Sequence, residues 1–166
     1  YYLGDSYLKL GQPDKAVEPL ENAVRWAKTD ADALYKLGVV YIELEKYEDA
    51  LAMFSYATAF VPDYQEAYEG MARVFAILED KDLLNYAQGM VAYSKKDYST
   101  AIDLLLKSAQ AKSDFAPTFA GLGLAYEAQG DLEKSAGAFK TALQLDTYNL
   151  TAQQGQQRVQ NLINNQ

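Results

Sequence analysis

The 166-residue sequence contains no cysteine and no histidine. Their absence excludes disulfide bonds, zinc sites of the Cys/His type, histidine pH switches, and the Ser-His and Cys-His pairs of many nucleophilic enzymes. Long apolar runs are absent as well, because no stretch approaches the roughly 20 residues that a membrane-spanning helix requires. The composition does not assign a compartment, and a soluble, cytoplasmic chain is the default expectation. Enzymes built on carboxylates alone are not excluded.

Basic residues are scarce, with 15 Lys and Arg against 23 Asp and Glu and a net charge of −8. Residues 1–79 carry 14 acids and 7 bases, whereas residues 80–166 carry 9 acids and 8 bases. An acidic surface repels the phosphate backbone, so a nucleic acid is not expected as a partner. Basic peptides or proteins match this charge better, although net acidity of this size also serves solubility alone.

Apolar residues recur at helical spacing along almost the whole chain, in segments of roughly 12 to 16 residues. Turn-forming residues separate these segments, among them residues 11–14, 61–63 and 130–131. No segment alternates strictly between apolar and polar residues, as a half-buried strand would. The sequence therefore predicts an all-α fold.

A string of small and aromatic residues at fixed spacing recurs along the chain. Its fullest form is Leu37-Gly38-x-x-Tyr41, Ala50-x-x-x-Phe54, Pro62. The other copies are Leu3-Gly4-x-x-Tyr7 with Ala16-x-x-x-Leu20, and Leu122-Gly123-x-x-Tyr126 with Ser135-x-x-x-Phe139 and Thr147. Gly4 and Gly38 are separated by one period of roughly 34 residues, a length typical of stacked helix pairs. On these residues the chain resembles a tetratricopeptide repeat protein.

The resemblance implies an all-α solenoid of antiparallel helix pairs, wound as a right-handed superhelix and closed by a C-terminal capping helix. We expect one array over residues 1–166, in six parts. These are a truncated repeat (1–30), a repeat (31–64), a half or interrupted repeat (65–81), two further repeats (82–115 and 116–149) and the capping helix (150–166).

The repeat frame breaks near residue 80, because the next register begins at Asp82, only half a period after Gln65. Two explanations are open. Three helices, at about residues 65–79, 82–94 and 97–111, pack irregularly, or a segment near residues 79–82 is missing from the sequence. Since Tyr1 lies inside a repeat, we expect the natural protein to begin further upstream. The closing helix suggests a C-terminus close to the native one.

The resemblance also implies a ligand groove along the first helix (helix A) of each pair. Its candidate residues are Asp32, Tyr35, Val39, Ile42, Glu66, Glu69, Arg73, Tyr86, Met90, Tyr93, Leu124 and Glu127. The surface so assembled is aromatic and apolar with an acidic streak, and tyrosine is well suited to contact a peptide. For Tyr35 and Tyr86, packing against the next helix A is the alternative to a place in the groove.

The predicted function is a protein–protein interaction scaffold that binds a basic, apolar peptide or protein segment in the groove. The alternatives are a self-assembling solenoid, with a homo-oligomer as its product, and the regulatory or recruiting part of a larger enzyme. Chaperone-binding relatives grip an acidic C-terminal peptide with Lys and Asn, where this chain has Tyr35 and Val39. Such a peptide is therefore not expected in the groove. No catalytic, cofactor or metal site is predicted.

Overall fold

The structure, a computed structural model, describes residues 1–165, and within that range it consists of ten α-helices joined by short turns. In chain order these are α1 (Tyr2–Lys9), α2 (Pro13–Trp26), α3 (Ala31–Glu43), α4 (Tyr47–Phe60), α5 (Gln65–Ile77), α6 (Lys81–Ser94), α7 (Tyr98–Ala111), α8 (Ala116–Gln129), α9 (Leu132–Leu145) and α10 (Leu150–Asn164). The all-α prediction is confirmed.

The chain divides into two compact units, one of residues Tyr1–Glu79 and one from Asp80 onward. The first unit holds α1 to α5, and the second holds α6 to α10. Each unit contains two helix pairs followed by a fifth helix that packs on the last pair. The boundary coincides with the place where the repeat frame breaks.

The two units repeat each other in sequence, because the offset that leads from Gly4 to Gly89 also connects many core residues. Equivalent pairs under this offset are Leu20 and Leu105, Gly38 and Gly123, Phe54 and Phe139, Gly70 and Gly155, and Val74 and Val159. It follows that α5 and α10 hold the same place, each as the fifth helix of its unit. The division into repeats, and a segment missing near residues 79–82, stay predictions.

Acidic and amide side chains start five of the helices. Asp30 accepts hydrogen bonds from the backbone N–H groups of the second and third residues after it, both at 3.1 Å. Asp80, Asp97, Asp131 and Asn149 each accept from the third residue after them, at 3.0 to 3.2 Å. These bonds satisfy donors that a helix N-terminus leaves unpaired, which fixes where each helix begins.

Four turns between paired helices share a left-handed residue, at Gly11, Glu45, Lys96 and Gly130, with φ between 58° and 83°. The N–H group of the next residue then bonds back to the preceding helix; Lys46, for example, donates to the carbonyl of Tyr41 at 2.8 Å. Glycine adopts this conformation without strain, whereas a side chain there costs about 1 kcal/mol. The geometry is therefore the same in each pair, whichever residue occupies the turn.

In the first unit, the ring of Phe54 from α4 fills the space between glycines on α3 and α5. A Cβ added at Gly38 would lie 2.6 Å from this ring, and one added at Gly70 would lie 2.5 Å from it. The second unit repeats the arrangement with Phe139, Gly123 and Gly155. Because each ring touches backbone on both sides, the phenylalanine sets how closely the two neighbouring helices approach.

We predict that Gly38→Ala destabilises the protein by about 1–3 kcal/mol, because the new methyl group overpacks the space that Phe54 occupies. The free energy of unfolding in urea measures this change. A variant as stable as the wild type would mean that Phe54 is not inserted between α3 and α5.

Gly137 provides the matched control, since it also lies within a helix but has no atom within 4 Å of an added Cβ. Gly137→Ala should stabilise the protein by about 0.5–1 kcal/mol through helix propensity alone. Opposite signs at the two glycines separate steric contact from propensity.

Candidate functional site

The predicted groove residues of the first unit lie on α3 and α5. The cap at Asp30 starts α3 so that Asp32 and Tyr35 stand three residues apart on one face. On α5, Glu66 and Glu69 have the same spacing, and both are exposed. The two helices thus each present a pair of side chains from their first turns.

Tyr35 and Tyr64 form the aromatic part of this surface. Their ring centroids are 5.6 Å apart, and Tyr35 also packs against Phe54 at 5.9 Å. The Tyr64 hydroxyl donates to Asp32 at 2.8 Å. Burial, followed by this bond, raises the pKa of Tyr64 far above its usual value. Both rings are therefore held in place from two sides.

Sequence reasoning missed Tyr64 because the groove positions of the repeat register lie within helix A, whereas Tyr64 immediately precedes α5. The sequence did contain a signal for this residue, because Tyr64 is an aromatic residue two positions after Pro62 and ends the turn from which α5 starts. The ring lies against Tyr35 and its hydroxyl bonds to Asp32, both on the preceding helix A, α3.

The acids of α5 lie close to the aromatic pair. Burial, and then the charges of Glu66 and Glu69, raise the pKa of Tyr35. Gln65 donates to Glu69 at 2.8 Å, which orients that carboxylate. We call Asp32, Tyr35, Tyr64, Glu66 and Glu69 the acidic–aromatic cluster.

Polar bonds connect α1 to α3 beside this cluster. The Tyr1 hydroxyl donates to Asp32, and Lys36 pairs with Asp5, which Lys9 also contacts at 2.7 Å. Asp32 therefore accepts two tyrosine hydroxyls, one from each side. Its carboxylate holds both tyrosines in place.

Three further predicted residues lie along the same helices. Arg73 pairs with Glu43 at 3.1 Å, and both are exposed, so the pair contributes about 0–1 kcal/mol. Val39 is half-buried and Ile42 is buried. The exposed face of the first unit thus runs from the acidic–aromatic cluster to the Arg73–Glu43 pair.

In the second unit, most of the predicted residues lie in the packing between helices. Tyr86 is only 6% exposed and packs edge-on against Phe115 at 5.2 Å. Met90 and Leu124 are buried as well. Tyr86 therefore follows the packing alternative, and these three side chains support the face of this unit from beneath.

Two predicted residues of the second unit are half-buried at its surface. The Tyr93 ring lies 5.8 Å from that of Tyr98. Glu127 accepts two bonds from the Arg158 guanidinium, at 3.0 and 2.8 Å. This bidentate pair connects α8 to α10 and fixes both charges.

The first unit places exposed acids next to aromatic rings that are fixed by packing. Among residues 1–165, no three or more acidic side chains are grouped so that they could hold a metal ion. No helix in the same range is both long and apolar enough to cross a membrane. What the first unit offers is an exposed acidic edge beside fixed aromatic rings.

We predict that Asp32→Asn flattens the loss of stability in acid. The Tyr1 hydroxyl lowers the pKa of Asp32 below its ordinary value of 3.8, burial opposes this effect, and Tyr64 adds to it. The folded chain thus favours the charged form, so the contribution of Asp32 to stability is complete above its ordinary pKa of 3.8 and is lost as the pH falls through the lower pKa of the folded state. Urea unfolding at about pH 7 and about pH 3 should show a smaller difference in the variant than in the wild type. An equal difference in the variant and the wild type would contradict the tyrosine bonds to Asp32. Asp63→Asn, which changes an exposed turn residue, is the control for the loss of one charge.

Comparison with known proteins gives relatives at low identity. The human protein O-mannosyl-transferase TMTC1 is 27% identical over 165 residues, which covers 87% of this chain but 19% of that protein. The chain therefore spans about a fifth of that relative's length.

Solved structures of similar fold include a segment of MamA from Desulfovibrio magneticus RS-1, at 22% identity, with 99% of this chain and 93% of that one covered and a TM-score of 0.45. Another is YrrB, described as a tetratricopeptide repeat protein with an unusual peptide-binding site. It is 17% identical, with 93% of this chain and 88% of that one covered and a TM-score of 0.47.

Family models identify the repeat directly. Two models described as tetratricopeptide repeat match residues 7–75 and 116–149, together more than half of the chain. The matched ranges contain the Gly38 and Gly123 motifs and the Phe54 and Phe139 rings that fill the cores of the two units. The chain belongs to the tetratricopeptide repeat family.

Proposed function

We propose that this chain is a protein-interaction scaffold whose first unit binds a basic, partly apolar peptide segment at the acidic–aromatic cluster. The observation that carries the proposal is the juxtaposition of Glu66 and Glu69, both exposed, with the fixed rings of Tyr35 and Tyr64. Family membership supports the same class of function by analogy of fold.

Each part of the cluster contributes a different contact. Lys or Arg side chains of a ligand pair with Glu66 and Glu69, and their charge is also attracted to the tyrosine rings. Apolar ligand side chains lie against the ring faces. Since Tyr35 is already held between Phe54 and Tyr64, little conformational entropy is lost when a ligand binds.

The charge of the first unit favours the same ligand. Residues 1–79 carry 14 acids against 7 bases, so their field attracts a basic segment from a distance. Val39 and Arg73 extend the contact surface along α3 and α5. In the second unit, Tyr93 and Glu127 are the predicted residues that lie at the surface of that unit.

A second candidate function is suggested by the length of the human relative. Because the chain corresponds to 19% of a transferase, we propose as the alternative that it recruits substrates or partners for a longer protein of which it is part. The natural sequence on either side of this chain tests the alternative, and the absence of any catalytic domain there would reject it.

We predict that Glu66→Gln with Glu69→Gln weakens binding of a basic peptide by about 3- to 30-fold, because two exposed charge pairs of about 0.3–1 kcal/mol each are lost. A phage-displayed library of random peptides, selected on the wild-type chain, supplies the peptides, and titration calorimetry measures their affinity. We expect Lys or Arg beside Leu, Phe or Ile in the selected sequences.

Glu18→Gln with Glu48→Gln is the matched control, since it removes the same charge from exposed positions on α2 and α4. The control should bind as the wild type does. If the two double variants bind the basic peptides equally well, total charge rather than the acidic–aromatic cluster determines affinity, and the proposal is wrong.

A further inference from the structure

The first unit contains a cavity of about 380 Å³ that involves no residue of the acidic–aromatic cluster. Its wall is apolar, with Val24 from α2, Leu34 from α3, and Met53, Tyr56 and Phe60 from α4. The three α4 residues stand at i, i+3 and i+7, so they form one stripe along that helix. The cavity therefore lies where the second helices of two successive pairs face each other.

Two cations complete the lining, Arg25 and Lys28. Five of the seven basic residues in the first unit are engaged internally. These are Lys9 and Lys36 with Asp5, Arg73 with Glu43, Lys15 with Gln12, and Lys46 above the ring of Tyr41. Among the residues that the structure describes, neither Arg25 nor Lys28 forms an ion pair. The two remaining cations of the unit thus both lie at this cavity. We call the cavity, together with Arg25 and Lys28, the cationic pocket.

Exposed aromatic surface lies at and beside the cationic pocket. Tyr56 is 57% exposed and Phe60 is 41% exposed, although both line it. Trp26, next to Arg25 in the sequence, is 89% exposed. Tryptophan, tyrosine and arginine are the residues that most often dominate binding energy at protein interfaces. Their presence here extends the apolar surface beyond the cavity itself.

The fold does not require these residues, as the second unit shows. The offset between the two units places Gln110 and Ser113 at the positions of Arg25 and Lys28. It likewise places Ala138 and Thr141 at the positions of Met53 and Tyr56. Core residues such as Leu20 and Leu105, or Phe54 and Phe139, are identical under this offset, whereas the charged and bulky pocket residues Arg25, Lys28, Met53 and Tyr56 have no counterpart of their kind.

We propose that the cationic pocket docks a segment of a partner protein in which one or two apolar side chains stand beside Asp or Glu. The apolar anchors fill the cavity, and the carboxylates pair with Arg25 and Lys28. A volume of about 380 Å³ is near the lower end of the range for ligand pockets, which suits one or two side chains. The exposed Trp26 and Tyr56 then contact the flanking residues of the segment, which a small amphiphile would not reach.

This inference does not rest on the proposed function of the groove, because the two surfaces share no residue and select ligands of opposite charge. An acidic segment is repelled by Glu66 and Glu69 and attracted by Arg25 and Lys28. One chain can therefore hold a basic and an acidic partner without competition between them.

A phage-displayed library of random peptides tests the proposal when it is selected on the wild-type chain and depleted on Arg25→Gln with Lys28→Ser. These replacements are the residues that the second unit carries at the equivalent positions, so the fold tolerates them. We expect the surviving peptides to carry Asp or Glu beside Leu, Ile, Phe or Trp. Binding to the depletion variant should be weaker by about 3- to 30-fold, because two exposed charge pairs are lost. Because Trp26 is the chain's one tryptophan, its fluorescence should change as such a peptide binds.

Met53→Ala with Tyr56→Thr is the second variant, again taken from the second unit. This variant should bind the same acidic peptides more weakly, while its circular dichroism spectrum and its binding of basic peptides stay unchanged. Three outcomes would overturn the proposal. In the first, no peptides survive the depletion, or the surviving peptides contain neither Asp nor Glu. In the second, the fluorescence of Trp26 responds to decanoate but to no peptide. In the third, the fluorescence of Trp26 changes with the concentration of the protein itself. The last result would assign the pocket to a second copy of the chain.

Discussion

The insertion of a phenylalanine ring between two glycine backbones is the contact on which the rest of each unit depends. Phe54 reaches from α4 into the space between Gly38 and Gly70, and this fixes the separation of α3 and α5. Tyr35 lies against the same ring, and Tyr64 lies against Tyr35. The acidic–aromatic cluster is therefore an outward continuation of the core, and a change in helix spacing would displace its aromatic rings.

The internal duplication separates what the fold needs from what each unit adds. The glycines that contact the inserted ring, Gly38 and Gly70, and the ring of Phe54 itself recur in the second unit, because close approach of the helices depends on them. The charged residues follow no such rule. Arg73 and Arg158 occupy equivalent positions in the two units. Their acidic partners, Glu43 and Glu127, do not, and lie instead at neighbouring positions of the repeat.

Sequence reasoning reached the helices and their register, since these follow from short-range spacing and from caps such as Asp30 and Asp131. The site was harder to predict. The register of helix A placed Glu66, Glu69 and Tyr86 alike in the groove, but the two glutamates are exposed whereas Tyr86 is buried against Phe115. Whether a regular position is covered depends on the neighbouring helix, which spacing alone does not describe. Tyr64 and Arg25 lay outside the positions that the register marks as functional.

The internal pairing of most cations in the first unit has a consequence for its behaviour in salt. Exposed charges more than about 8–10 Å apart are screened at physiological ionic strength, and closer exposed pairs weaken as salt is added. The two proposed binding surfaces carry exposed charge, whereas the contact of Phe54 with Gly38 and Gly70 is uncharged. If both proposed partners bind, rising ionic strength releases them while the uncharged contacts of the core persist, so that binding and folding respond to separate conditions.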